Sequence, residues 1–171
     1  PDGLFLDVTG VDHLWGGEAV LVADLHGRLA RNGMATRLAL ADTPGAAWAL
    51  AHHGPAPCIV APPGGQAPLL ADLPPAALRL APEAAAQLGR LGLRRLSQMM
   101  DMPRAPLAKR FGPEVLRRLD QALGRDPEAL TYRRPPSPWF ARLAFAEPIS
   151  APEDLQRVTG DITAALCARL E

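Results

Sequence analysis

The apolar and polar positions fall into two regimes along the chain. Leu4, Leu6 and Val8 alternate with Phe5 and Asp7, a period of two that predicts a strand ended by Thr9-Gly10. Glu18 to Asn32 predicts a helix: Leu21, Leu25 and Leu29 recur every fourth position, Val22 joins their face, and Gly33 stands where a left-handed residue ends a helix. Met34 to Leu40 alternates again, with Thr36, Leu38 and Leu40 on one side. Ala46 to Ala51 reads as an Ala-rich helix closed by Gly54, and Cys58 to Ala61 as a short strand before Pro62-Pro63-Gly64-Gly65. This β-α-β-α-β order predicts a sheet with helices packed on it.

Beyond Leu69 the strands disappear. Pro74-Pro75 opens a run of short helices over Ala76–Leu80, Glu83–Leu91, Leu96–Met100, Leu107–Phe111 and Glu114–Leu123, punctuated by Gly89, Gly92, Gly112 and Gly124. Arg133-Arg134-Pro135-Pro136-Ser137-Pro138 predicts an extended linker, because the residue before each proline is pushed out of the helical region. Trp139 to Ile149 alternates weakly, as the first strand of another module would. Glu153 to Leu170 predicts an amphipathic helix with Leu155, Val158, Ile162, Leu166 and Leu170 on one face. The fold class is therefore α+β, divided into an α/β part at 1–68, a helical part at 69–131, a tether at 132–138 and the start of a further module at 139–171.

Composition narrows the function classes. With 171 residues and 48% hydrophobic content the chain can bury a core, yet no apolar run reaches the ~18 residues of a membrane span. The start, Pro1-Asp2-Gly3, has neither the basic nor the apolar region of a signal peptide, which points to the cytoplasm. A core strand at Leu4–Val8 with no initiator Met before it suggests a fragment that begins mid-fold. Cys58 and Cys167 stand far apart without a partner motif, which excludes a disulfide framework or zinc knuckle and leaves buried free thiols. The net charge is zero but uneven. Residues 1–78 carry three basic and seven acidic side chains, residues 79–134 twelve and six, and residues 135–171 three and five. A basic middle of this kind is either a polyanion surface or a solvated helical face.

The order of motifs resembles the Y-family translesion DNA polymerases. Asp2-Gly3-Leu4-Phe5-Leu6-Asp7-Val8-Thr9-Gly10 is similar to that family's palm motif, an Asp-Glu pair, two further residues and Leu-Asp-Val-Thr. Met34–Ala51 resembles the following palm strand and helix. Leu88 to Leu96, with Leu91-Gly92-Leu93, resembles the thumb's helix-hairpin-helix. Arg110-Phe111-Gly112 with Leu123-Gly124-Arg125-Asp126 resembles the thumb's second half, Tyr132–Ser137 the tether, and Trp139 onward the little-finger domain. His13-Leu14-Trp15-Gly16-Gly17, Ala41–Ala51 and Pro103-Arg104 to Gly112 resemble the ImuB-type branch. The resemblance implies a partial palm, a small all-α thumb and the start of a little finger. It further implies a non-catalytic relative in damage-induced mutagenesis, with a RecA-like accessory protein, the sliding clamp and an error-prone replicative-type polymerase as partners.

Nucleotidyl transfer needs two metal ions ~4 Å apart, held by converging carboxylates. Asp2 stands at the Asp position as a remnant of that pair, but Gly3 stands where the Glu belongs and offers no ligand. The triphosphate side is thin as well. No Lys occurs before Lys109, Pro63-Gly64-Gly65 lacks the Lys-Ser/Thr step of a phosphate loop, and Arg37 on its strand is not assigned to phosphates. No cofactor is expected, with Mg required only if the chain is active. His52-His53 reads as a helix-end pair whose imidazolium form the helix dipole favours, Trp15 and Trp48 as packing residues, and Asp7 as an acceptor for backbone amides at its turn. In the helical part the hairpin usually written Gly-apolar-Gly is Arg79-Leu80-Ala81, followed by Pro82, which weakens a main-chain phosphate cradle. Side-chain charge remains: Arg90, Arg94, Arg95, Lys109, Arg110, Arg117, Arg133 and Arg134 are the DNA-binding candidates, gripping backbone without reading sequence. Two alternatives stand beside this reading: an active Y-family polymerase whose missing carboxylate is supplied elsewhere, and a protein–protein scaffold without DNA binding of its own.

Overall fold

The computed structural model describes residues 3–131 and 140–168. The chain forms two compact units, Pro1–Ala129 and Leu130–Glu171.

In the first unit a 3-10 turn at Asp12–Leu14 precedes helix α1 (Glu18–Arg31). Strand β1 (Leu38–Leu40), helix α2 (Pro44–His53) and strand β2 (Cys58–Val60) form a β-α-β crossover. The strands pair in parallel with Leu38 opposite Cys58, Ala39 opposite Ile59 and Leu40 opposite Val60. Then come α3 (Gln66–Ala71), a 3-10 turn at Pro75–Leu78, α4 (Pro82–Arg90), α5 (Leu96–Met100), α6 (Arg104–Phe111) and α7 (Pro113–Leu123). The architecture is mixed, mostly helical with a small parallel sheet, which fits the α+β class.

Two strand expectations are corrected. Leu4–Val8 has no ladder partner among the described residues, and Leu4 and Leu6 are 90% and 63% exposed. Residues 140–149 likewise form no strand, with Phe140, Leu143 and Phe145 exposed. Alternation prepares a segment for a half-buried sheet, but strand pairing also requires a neighbour for its backbone N–H and C=O groups. The same requirement trims the Met34–Leu40 expectation to the three residues that pair with β2.

Proline explains four of the eight α-helix starts among the described residues and one omission. Pro44, Pro82, Pro113 and Pro152 each occupy the first helical position, where the missing N–H has no intrahelical partner in any case. Pro68 and Pro106 fall in the first turns of α3 and α6. Read as breakers, they hide α3 entirely and delay the expected start of α6 to Leu107; in a first turn they break no hydrogen bond.

One hydrophobic cluster runs across the 68/69 position. It includes Ala46, Ala49 and Leu50 of α2, Leu70 of α3, Leu88 of α4, Leu96 and Met99 of α5, and Val115, Leu119 and Ala122 of α7. Each fully buried leucine contributes roughly 1.5–3 kcal/mol of transfer free energy. Helices α2 and α7 meet backbone to backbone: a Cβ added at Gly45 would lie 2.9 Å from the Ala122 Cα. Thr43 secures the same junction. Its Oγ1 accepts from the Ala46 N–H at 3.1 Å, capping α2, and donates to the Ala122 carbonyl at 3.0 Å. Arg37 closes the other end of α2, donating to the carbonyls of Ala51, Gly54 and Ala56 at 2.6, 2.6 and 2.8 Å.

In the second unit helix α8 (Pro152–Cys167) buries Val158, while Leu155 stays 49% exposed. Of the apolar face expected there, Ile162 and Leu166 are half-buried and Leu170 lies outside the described residues. Among the described residues no helix is long and apolar enough to cross a membrane. Of the two thiols, Cys58 is half-buried and Cys167 exposed, so the expectation of buried thiols fails at Cys167, on the last turn of a helix with one buried side chain.

Burial also overturns the expectation for His53. The ring borders an open apolar cleft with Leu50, Ile59, Leu69 and Leu73. Desolvation there, and secondarily the neighbouring His52, lowers the His53 pKa against the pull of the helix dipole.

Two stability measurements follow. Gly45→Val should destabilise the fold by about 1–3 kcal/mol through overpacking. Gly27→Ala in α1, whose added Cβ would meet only the flexible end of Arg31 at 3.5 Å, should stabilise it by roughly 0.5–1 kcal/mol. Urea midpoints that moved the same way would contradict this packing. For His53 the unfolded chain takes up a proton near pH 6.5 and the folded chain only at lower pH. Between those values the unfolded state binds more protons, so stability falls as pH drops below about 6.5, and His53→Gln should flatten that part of the profile.

Candidate nucleic-acid interface

Two glycine turns organise the basic part of the first unit. Helix α4 ends at Arg90, and Gly92 follows with φ +84°. The Leu93 N–H returns to the Leu88 carbonyl at 3.0 Å, and the Gly92 N–H to that of Gly89 at 3.0 Å, so the helix closes in a left-handed C-terminal motif. Leu88 and Leu93 both pack in the core cluster, which anchors the turn. The second turn is Gly112, at φ +86° and ψ 163°, a region that only glycine enters readily. It ends α6 and starts α7 in a single residue. No heavy atom lies within 4 Å of a Cβ added at either glycine, so both turns are open on that side.

The candidate cations divide by partner. Arg90 and Arg94 flank the first turn, and Lys109 and Arg110 precede the second; all four are exposed and make no ion pair among the described residues. Arg110 lies over the Phe111 ring, 5.9 Å from its centroid, and keeps its charge. Arg95 is exposed and meets Asp72 at 3.0 Å, while Arg117 meets Glu114 one turn away on α7. Arg133 and Arg134 lie outside the described residues. The structure thus brings the candidates together as two free pairs, one at each turn, with two neutralised neighbours.

Other arginines of this part are held by carboxylates of the same chain. Arg104 reaches both oxygens of Asp120, one at 2.9 Å, and the carboxylate raises its pKa further. Arg118 lies between Glu114 at 2.9 Å and Glu128 at 3.2 Å. At the Arg79-Leu80-Ala81 hairpin, Arg79 itself takes the left-handed conformation at φ 55°, and its guanidinium meets Glu128 at 2.6 Å with both side chains largely buried. The one basic side chain of that hairpin is therefore held in an internal ion pair. At the start of α5 the Gln98 Oε1 accepts from the N–H groups of Arg94 and Arg95 at 2.8 and 3.0 Å. The Gln98 cap and the Arg104–Asp120 fork were not among the sequence expectations. Gln98, three residues after Arg95, carries the spacing of a helix-start acceptor and was the available signal.

The polymerase-like positions are sparse. Asp2 lies outside the described residues. Gly3 is exposed, and a Cβ built there would have His52 Cε1 at 3.9 Å, ordinary contact, as its nearest neighbour. Among the described residues no three His, Cys, Asp or Glu side chains converge as a metal site. Asp7 accepts from the Thr9 N–H at 3.0 Å, as expected, and that backbone bond holds its carboxyl below the usual range. Arg37 is occupied by three carbonyls, which accords with leaving it out of phosphate binding. Trp48 stacks on His52 with centroids 4.0 Å apart, and Trp15 donates to Asp24 at 3.0 Å, so both indoles have intramolecular partners.

No protein-family model matches the chain, and no solved structure does. The chain is 64% identical over 170 residues to Protein ImuB in two strains of Caulobacter vibrioides, an alignment covering 99% of this chain and 37% of each relative. The chain therefore spans little more than a third of the curated relatives it matches. Identity at that level over nearly every residue makes this chain similar throughout to part of Protein ImuB and supports the ImuB-type resemblance of its ordered motifs.

Proposed function

We propose that the chain is the DNA-engaging part of a non-catalytic Y-family polymerase homologue acting in damage-induced, error-prone translesion synthesis. The observation that carries this reading is the set of four exposed, unpaired cations, Arg90, Arg94, Lys109 and Arg110, beside two open glycine turns. Such cations release counterions from phosphates and hold a duplex without reading its bases. Arg133 and Arg134 in the tether extend the same charge along the chain. In this reading residues 1–68 correspond to a palm, 69–131 to a helix-hairpin-helix-like thumb and 139–171 to the start of a little finger.

Gly3 supports the absence of catalysis, because the remnant Asp2 has no adjacent carboxylate with which to hold magnesium. Synthesis then falls to a partner, an error-prone replicative-type polymerase, with the sliding clamp and a RecA-like accessory protein completing the assembly. The site of action is the cytoplasm.

A second reading, a protein-binding scaffold without DNA affinity, draws on the hairpin at Arg79 and on Gln98. The Arg79 guanidinium is spent on Glu128, and Gln98 takes up the main-chain N–H groups of Arg94 and Arg95.

Duplex binding titrated against salt separates these readings. On DNA of unrelated sequences, Arg90→Gln, Arg94→Gln, Lys109→Gln and Arg110→Gln should each weaken binding and flatten the log–log salt slope by about 0.9. Undetectable binding at low salt would favour the scaffold. Primer extension with magnesium or manganese should give no product from the parent, run beside Gly3→Glu. Metal-dependent extension by the parent would overturn the non-catalytic reading and make Asp2 a working ligand.

A further inference from the structure

We infer that Glu114 is an internal counter-anion that withholds Arg117 from DNA, so that duplex phosphate and the Glu114 carboxylate compete for one guanidinium. The inference rests on the DNA-binding reading and defines which of its cations are available.

Glu114 lies in the first turn of α7, directly after the Gly112 turn and Pro113. A negative charge is favoured there by the helix dipole. Its two oxygens serve different arginines: Oε2 meets Arg117 and Oε1 meets Arg118 Nε at 2.9 Å. The two arginines are not equivalent. Arg118 is 27% exposed and is also held by Glu128 at 3.2 Å and Gln121 at 3.4 Å. Arg117 is 56% exposed and has Glu114 as its one partner among the described residues. The charge-assisted contact one helical turn away keeps Arg117 on its carboxylate, so a phosphate at the Gly112 turn meets Lys109 and Arg110, which have no ion pair among the described residues, and not Arg117. Without Glu114, Arg118 keeps Glu128, whereas Arg117 becomes a fifth available cation. The glutamate thereby limits affinity at that turn while leaving the fold's own ion pairs intact.

A double-mutant cycle on the whole chain tests this, with salt-dependent duplex binding of Glu114→Gln, Arg117→Gln and the double variant as the readout. Glu83→Gln controls for the same change in net charge, because Glu83 begins α4 without an ion pair. Glu114→Gln should steepen the slope by about 0.9, a further three- to fourfold loss of binding for each fourfold rise in salt. Arg117→Gln alone should leave the slope unchanged, and in the Glu114→Gln background it should abolish the gain. Glu83→Gln should leave the slope as in the parent. If Arg117→Gln alone flattens the slope as Arg94→Gln does, or if Glu114→Gln behaves like Glu83→Gln, the inference fails while the DNA reading stands. If the parent does not bind duplex at any salt, the DNA reading fails and takes this inference with it.

Discussion

The glycine at position 45 lets α2 lie against the backbone of α7, and this contact joins the strand-bearing half of the first unit to its helical half. The added Cβ of any other residue would come within 2.9 Å of the Ala122 Cα, closer than non-bonded carbons pack. Because the backbones approach, Thr43 can cap α2 and reach the Ala122 carbonyl with the same hydroxyl. The core then continues without interruption from Ala46 and Leu50 to Leu119 and Val115. The glycine turns at 92 and 112 inherit their positions from this frame, since the helices on either side of them contribute Leu88, Leu96 and Val115 to it.

The same frame sorts the charge. Twelve basic side chains between residues 79 and 134 suggest a strongly positive surface. Much of that charge is paired within the chain: Arg79 and Arg118 share the buried Glu128, Arg104 grips Asp120, and at the surface Arg95 meets Asp72 and Arg117 meets Glu114. The cations left to a partner are fewer and sit at turns rather than along a helix face. A surface of that kind accords with the proposed sequence-independent hold on a duplex.

Helices α1, α2, α4, α5 and α7 were legible in the sequence to within a few residues, because their apolar spacing, prolines and glycines all indicate the same elements. The misses have particular causes. Pro68 and Pro106 look like breakers but lie in first turns, where a missing N–H costs no bond. Leu4–Val8 carries a strand's alternation and has no ladder partner among the described residues. His53 carries the sequence signal of a helix-end cation, yet burial against the cleft drives it toward the neutral form. For the interface, residue type indicated the candidate cations; the distances to Asp72 and Glu114 decided which of them remain free.

The sequence by itself determined five of the helices to within a few residues, the glycine turns and the resemblance of the chain, because these depend on local chemistry and on the order of motifs. Only the tertiary structure decided which strands pair, how α2 meets α7 and which arginines are neutralised. Strand pairing, the α2–α7 packing and the buried ion pair depend on groups distant in sequence, as the 79 positions between Thr43 and Ala122 and the 49 between Arg79 and Glu128 illustrate. Their partners are set by the geometry of the core, and no local pattern encodes them.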